Sequence, residues 1–415
     1  LIEHLKRCNG LPAIYFVFGR RKAEELAFEL MRNSFLSERE QREINALYDS
    51  LVDRHDLRQE RSMREMYPLI TRGIAYHHAG MLPSVKEVIE RLFTSRLIKV
   101  IFTTETFALG INMPSRSVIF DGLKKFYGTH TGFLKTRDFY QMAGRSGRRS
   151  IDTEGFVYCR VDLRQIPVTE LRRIIFSKPE AVRSQFNTSY ATLLNLYEKH
   201  AEELIKIYPY SLHNYQARRG EQREATRLIR AKLEVLHELG FIAGKKLTQK
   251  GLFAKSIYGY ELILSELYEQ GFLDGLGTAG LGVLCLSAVF EPRKNQRLPP
   301  LSQNSQRIKK ACDAVFKRIR VAEKRARIYP PTKMVHFHLS DCLESWMRRE
   351  DFTTALRHTD ADEGEVVRYF RMTAQTLREI EESRIAPVAL REKVKAARAL
   401  INRDIVDAAK QLQAY

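Results

Sequence analysis

Residues 98–114 read IKVIFTTETFALGINMP. The first six are almost continuously apolar and β-branched, the pattern of a strand covered on both faces of a parallel sheet. The run ends in two threonines, Thr103 and Thr104, and then in a Gly110–Ile111–Asn112–Met113–Pro114 turn. In α/β sheets, ligands bind at the carboxyl ends of strands, where such hydroxyls and loop N–H groups lie. Working outward, Ala13–Phe18 (AIYFVF), Ile74–His77, Ser117–Phe120 and Gly155–Arg160 also read as strands. Helical patterns at Arg21–Arg32, Pro83–Thr94 and Thr136–Ala143 alternate with them. A strand–helix–strand series of this kind specifies an α/β doubly wound domain. The polar stretch Ser34–Arg72 has helical spacing and reads as a helical insertion before the second strand.

After about Asp162 the strand signal fades. Ser189–His200, Arg223–Leu239 and Tyr260–Gln270 are amphipathic helical patterns. Leu239–Ile257 (LGFIAGKKLTQKGLFAKSI) reads as helix end, glycine, short strand, glycine, helix, the order of a winged-helix module. From 260 onward the pattern is all-helical, with Pro299–Pro300 and Pro330–Pro331 as breakers. The longest apolar stretch, Gly275–Phe290, is too short to span a bilayer and predicts a buried helix pair. Three domains are expected: 1–165, an α/β domain; 166–258, winged-helix-like with connecting helices; and 259–415, a helical bundle.

The chain holds 69 Lys and Arg against 50 Asp and Glu, a net charge of +19, which points to a polyanionic partner. The basic residues are dispersed rather than gathered beside an apolar anchor, which disfavours a membrane. Five cysteines, at 8, 159, 285, 312 and 342, are odd in number and lack metal-ligand spacing. They suit a reducing compartment, so a cytoplasmic location is expected. A start at Leu1 rather than Met suggests a piece of a longer protein.

The most specific segment is Gln141–Arg149, QMAGRSGRR. It puts Arg145 and Arg148 among glycines just past a helix end, where two guanidiniums can reach a transferring phosphoryl group and neutralise its charge. In Tyr76–Pro83, YHHAGMLP, two adjacent histidines point apart on a strand with no third ligand close by. A packed histidine pair at the sheet edge is expected there, and no metal. In Glu363–Glu382, Val367, Phe370, Ala374 and Leu377 define an apolar stripe beside a basic stripe of Arg368, Arg371 and Arg378. Thr359–Asp362 has the form of a capping signal just upstream.

In this order and spacing, these stretches resemble the superfamily-two helicases, and specifically the superkiller/antiviral-type DExH RNA helicases. AIYFVFGRRKAEELA resembles their motif IV, YHHAGMLPSVKEVIERLF motif IVa, VIFTTETFALGINMP motif V and QMAGRSGRRSIDTEG motif VI. SYATLLNL (189–196), Leu233–Ala254 and ALINRDIVDAAKQL near the C-terminus resemble the family's winged-helix and DSHCT helical domains. The resemblance implies a second RecA-like domain followed by winged-helix and DSHCT domains. It implies that Arg145 and Arg148 contact the γ-phosphate of ATP, with Gln141, Gly110 and Asn112 near the nucleotide. It gives Thr103, Thr104 and Gly80 to the nucleic-acid backbone. It also implies a strand-separating hairpin at Lys124–Lys135, carrying Phe126, Tyr127 and Phe133, and a ratchet helix in which Arg368 and Arg371 face the strand.

Neither a GK[ST] phosphate loop nor a DExH sequence occurs in the chain. ATP with Mg2+ is therefore expected to be held mainly by a first RecA-like domain of the same protein, and this fragment alone to be inactive. Only Gln216–Thr226 separates SLHNYQ from the helix that follows, which leaves no room for the large arch of RNA-exosome-linked members. The expected function is ATP-dependent 3′-to-5′ translocation and unwinding, acting on single-stranded or partially duplex RNA. The alternatives are a related DNA repair helicase and a nucleic-acid-binding scaffold without an active motor.

Overall fold

The computed structural model describes residues 1–58, 60–108, 113–128, 130–148, 150–184 and 188–408. They divide into two units: Leu1–Ala181 with Asp362–Glu365, and Val182–Ala361 with 366–408.

In the first unit the elements run α1 (Ile2–Arg7), β1 (Ala13–Phe16), α2 (Arg20–Glu29), α3 (Glu38–Arg54), α4 (Arg61–Ile70), β2 (Ile74–His77), α5 (Pro83–Thr94), β3 (Val100–Thr103), β4 (Ser117–Phe120), β5 (Lys124–Phe126), β6 (Thr131–Phe133), α6 (Thr136–Ala143), β7 (Phe156–Cys159) and α7 (Val168–Phe176). Five strands form one parallel sheet in the order β2-β3-β1-β4-β7. Ile74, Val100, Ala13, Ser117 and Phe156 lie in register, so all five carboxyl ends finish along one edge. The three central strands are buried at almost every position because helices cover both faces, which is why their sequences lack alternation. The expected strands are present: Ile74–His77 and Ser117–Phe120 with the expected bounds, and the other three each two residues shorter. The insertion is the helix pair α3 and α4; α3 starts with a full capping box from Ser37 and Glu40.

The second unit begins with α8 (Tyr190–His200), α9 (Leu204–Ile207), α10 (Leu212–Gln216) and α11 (Arg219–Glu238). A two-stranded hairpin, β8 (Ile242–Ala243) and β9 (Lys246–Leu247), leads into α12 (Gln249–Ala254), where the sequence reading has a single short strand between the helices. At Gly251 an added Cβ would come 2.1 Å from the Phe241 carbonyl oxygen, so only glycine lets α12 pack this closely. The helices α13 (Glu261–Glu269), α14 (Thr278–Val289), α15 (Gln303–Arg325), α16 (Ser340–Met347), α17 (Phe352–Leu356), α18 (Glu363–Glu382) and α19 (Val388–Ile401) follow. The Gly275–Phe290 stretch forms one helix, α14, rather than the expected pair. It is buried all round from Gly280 onward, and Gly282 leaves room for Met347 and Ile401. Trp346 anchors the same core: its indole N–H donates to the Ile401 carbonyl at 2.9 Å, and the Arg403 guanidinium stacks on its ring. Among the described residues, no helix is long and apolar enough to cross a membrane.

Candidate functional site: the carboxyl edge of the parallel sheet

From β1 the chain crosses to β2 at one sheet edge, whereas from β4 it turns to β7 at the other. Loops therefore diverge above β1 and β4, and a crevice opens at that switch point. A cavity of about 230 Å³ lies there, lined by Val17, Gly19, Lys22, Asp121, Gly122 and Lys124. Asp121 accepts hydrogen bonds from the Tyr15 hydroxyl (3.0 Å) and from Arg160 (3.2 Å). Burial, with Asp121 beside it, pushes the Tyr15 hydroxyl up to about 12, so it stays a donor.

Past α6 the chain turns sharply through Gly144–Arg148. Gly147 takes a left-handed φ of +84°, and Gly155 packs so tightly on it that a Cβ there would lie 2.5 Å from the Gly147 nitrogen. Ser115, which follows Met113 and Pro114 just ahead of β4, straps this turn. Its N–H donates to the Arg145 carbonyl (2.8 Å), and its carbonyl accepts from the Gly147 N–H (2.7 Å). The Ser115 hydroxyl is engaged by the Ser117 carbonyl at 2.7 Å. The segments around Ser115 and Arg145–Arg148 are thus one piece of backbone, which neither segment shows in isolation.

Arg148 is held by Asp152. Its Nε and Nη2 donate to the two carboxylate oxygens at 2.7 Å each, and its backbone N–H donates at 2.9 Å. Arg116 reaches the same carboxylate at 2.9 Å. The Arg148 side chain is 15% exposed and that of Asp152 only 1%. The Arg148 hydrogen bonds hold the Asp152 carboxyl well below the usual carboxylate range and raise the Arg148 guanidinium. Arg145 is half-buried and Gln141 exposed on the last turn of α6. Gly110 and Asn112 lie outside the described residues. Asp152, Arg116 and Ser115 are additions that the structure makes to the expected site. The i,i+4 spacing of Arg148 and Asp152 is a local signal for the first; the sequence holds none for the other two.

The remaining predicted residues fall along the same edge of the first unit, or in the second. Thr103 is buried at the end of β3, and its hydroxyl donates to the His77 carbonyl at 2.8 Å, tying β3 to β2. Thr104 lies one residue further on, its hydroxyl 3.0 Å from that of Thr106. The histidines point apart: His77 Nε2 lies 2.9 Å from Glu90, and His78 Nε2 lies 2.8 Å from Glu24. Burial lowers the His77 pKa, so its ring packs as the neutral form against Phe107. Gly80 donates its N–H to His78 Nδ1 (3.2 Å) and accepts at its carbonyl from the Gly364 N–H (3.0 Å). A Cβ on Gly364 would stand 2.2 Å from the Met81 carbonyl oxygen, and Arg20 pairs with Asp362, so the 362–365 turn is seated on this loop. The expected capping side chain of Asp362 is thereby drawn to Arg20, while Thr359 accepts from the Ala361 N–H.

Lys124–Phe126 and Thr131–Phe133 pair antiparallel as a hairpin between β4 and α6. Tyr127 is boxed in: its hydroxyl accepts from the Lys135 N–H and donates toward the Phe133 carbonyl, and Lys125 and Lys135 lie over its ring. Lys124 covers Phe133. Phe126, 60% exposed, is the one of the three rings that projects. In the second unit, Val367, Phe370, Ala374 and Leu377 on α18 are buried as the spacing predicts. Arg368 is exposed, with its guanidinium over the Tyr369 ring. Arg371 is half-buried and donates to the carbonyls of Val406 (2.8 Å) and Ile405 (3.1 Å), an engagement that a helical wheel does not reveal.

Residues 1–150 match the helicase conserved C-terminal domain, and residues 244–409 match the DSHCT (NUC185) domain. The chain is 34% identical over 244 residues to "Antiviral helicase SKI2" of Saccharomyces cerevisiae, covering 57% of this chain and 19% of that protein. It is 34% identical over 224 residues to "Superkiller complex protein 2" of Homo sapiens, covering 54% and 18%. It is 32% identical over 222 residues to human "Exosome RNA helicase MTR4", covering 52% and 21%. The chain thus spans about a fifth of the length of the curated relatives it matches. The chain joins a RecA-like helicase C-terminal domain, with its pinned arginine turn, to a DSHCT helical domain, a combination that resembles the superfamily-two helicases. Within that class the sequence is similar to the superkiller/antiviral-type DExH-box RNA helicases.

Proposed function

We propose that this chain is the second RecA-like half and the nucleic-acid grip of a motor that couples ATP hydrolysis to 3′-to-5′ movement along RNA. The observation that supports this best is the Gly144–Arg148 turn, strapped to Ser115 and oriented through Asp152. A guanidinium fixed in advance loses little entropy when charge develops beside it, the condition for electrostatic catalysis. Its partial exposure fits an anionic phosphate chain as the group it meets. ATP with Mg2+, bound mainly by a first RecA-like domain, supplies the phosphoryl group. Arg145 and Arg148 act as its counter-charges from this side of the cleft, and Gln141, Gly110 and Asn112 lie beside the nucleotide. Thr104, Gly80 and Arg368 contact the strand, and Thr103 and Arg371 hold the frame on which those contacts depend. Phe126 at the hairpin tip stacks on the last base pair, with Tyr127 and Phe133 stiffening the hairpin behind it. In domain terms, 1–165 is the motor half, 166–258 the winged-helix linker and 259–415 the ratchet bundle. The protein acts in the cytoplasm.

The test is ATPase activity of the full-length protein with and without RNA. Turnover stimulated by single-stranded RNA and abolished in Arg148→Ala is expected. Stimulation by DNA alone would move the reading to DNA repair, and no ATPase with intact nucleic-acid binding would make the protein a scaffold.

A further inference from the structure

α11 carries Arg219, Arg223, Arg227 and Arg230, spaced four, four and three residues apart. That spacing keeps all four on one helix face over about 16 Å. All four are exposed. Arg227 is paired with Glu224 at 2.6 Å and also donates to the Arg327 carbonyl at 3.3 Å. Among the described residues, Arg219, Arg223 and Arg230 have no carboxylate partner. Arg223, Arg227 and Arg230 line a groove of about 500 Å³ whose far wall is Ala326, at the end of α15. Of the four acids on this helix, Glu221 and Glu224 lie among these arginines and Glu234 and Glu238 beyond them. Glu221 accepts from the Arg218 N–H, Glu224 is used by Arg227, Glu238 is used by Arg325, and Glu234 closes the groove at its far end. Immediately before the stripe, in and next to α10, Tyr210 is 90% exposed and Tyr215 86% exposed. Two exposed phenol rings thus lead into a stripe in which three of four guanidiniums have no carboxylate partner among the described residues.

We propose that α11 and the turn before it form a second docking surface for single-stranded nucleic acid, built from residues outside both the sheet edge and α18. Guanidiniums one helical turn apart bind successive backbone phosphates, and the tyrosine rings stack on bases. A polyanion with flat apolar faces meets both features, whereas an acidic peptide meets only the first. The surface rests on the reading of the protein as a nucleic-acid motor and adds to it a place where strand outside the motor is held.

The experiment uses the full-length protein with Arg219→Gln, Arg223→Gln and Arg230→Gln combined, and the corresponding triple lysine variant. Binding is measured against salt for a short strand of about 10 nucleotides, which fills one site, and for one of about 30, which reaches a second. For the long strand the glutamine variant should lower the slope of log K against log salt by about two, at about 0.7 for each phosphate that a guanidinium no longer neutralises. Short-strand binding and strand-stimulated ATPase should stay unchanged, and the lysine variant should keep the wild-type slope. An unchanged long-strand slope, an equal reduction for both strands, or weakened binding of polyglutamate alone overturns the proposal while leaving the motor reading intact. No binding of either strand by the wild type overturns both.

Discussion

Asp152→Asn separates two roles that Arg148→Ala would confound. In the wild type, one almost fully buried carboxylate serves two arginines, with side chains 15% and 21% exposed. Substituting asparagine keeps the shape and removes the charge, leaving two largely desolvated guanidiniums without that counter-ion. Breaking a buried pair in this way costs about 3–5 kcal/mol, and the residual solvent access of the arginines puts the expectation at the lower end, about 3 kcal/mol. For a unit of this size, that is a fall of about 6–12 °C in melting midpoint. The sign of the pH dependence follows from the depressed Asp152 pKa. Its contribution is fully present above the unfolded value of 3.8 and is lost as pH falls through the folded value. The gap between wild type and variant should therefore be full at neutral pH and close only in strong acid. ATPase assays on the full-length protein then decide the function of Arg148. As a phosphate-contacting finger, Arg148→Ala should lower turnover by about 10³ or more, far beyond Asp152→Asn, in which the guanidinium survives. If the two variants lose equal stability and equal turnover, Arg148 is a structural strut and the finger assignment is wrong.

Phe126→Ala should leave ATPase unchanged and reduce duplex unwinding, because it removes the projecting ring but none of the contacts that brace Tyr127; an equal fall in both activities would make the hairpin an ordinary packed loop. Arg368→Ala should lower unwinding more than ATPase with no change in melting, whereas Arg371→Ala should mainly destabilise the chain, since it leaves the Ile405 and Val406 carbonyls without their donor; identical phenotypes would refute that division. Burial, aided by Glu60, raises the Glu363 pKa to about 6 from 4.5, so this group takes stability away as pH rises through that interval. Glu363→Gln should flatten that part of the stability–pH curve, and an unaltered curve would show that the carboxyl is solvated.

Much of the fold is legible in the sequence because it is written locally. The buried strands announce themselves through unbroken β-branched runs, and Pro83–Thr94 and Thr136–Ala143 are helices with the bounds their patterns imply. The apolar stripe of α18 follows from helical period alone, and the glycines before α12 mark a short strand there, though not the second strand that pairs with it. The Gly275–Phe290 stretch misleads for a related reason: a segment apolar on every side has no period, so its glycines suggest a break between two helices. In the structure they are spacers and a helix start.

What the chain's order of residues does not settle is which polar groups remain at the disposal of a ligand. Thr103 and Arg371 have the residue types and positions of binding groups, yet their donors go to the His77 carbonyl and to the Ile405 and Val406 carbonyls, 26 and 34 to 35 residues away. Ser115 looks like filler after a turn and proves to be the strap that joins the two segments of the arginine site. A hydrogen-bonding group has few lone pairs and protons. Whether they are taken up inside the protein depends on neighbours that only the tertiary fold brings within about 3 Å. Periodicity and glycine placement are properties of a segment and survive in the sequence; the satisfaction of a buried donor is a property of the folded chain.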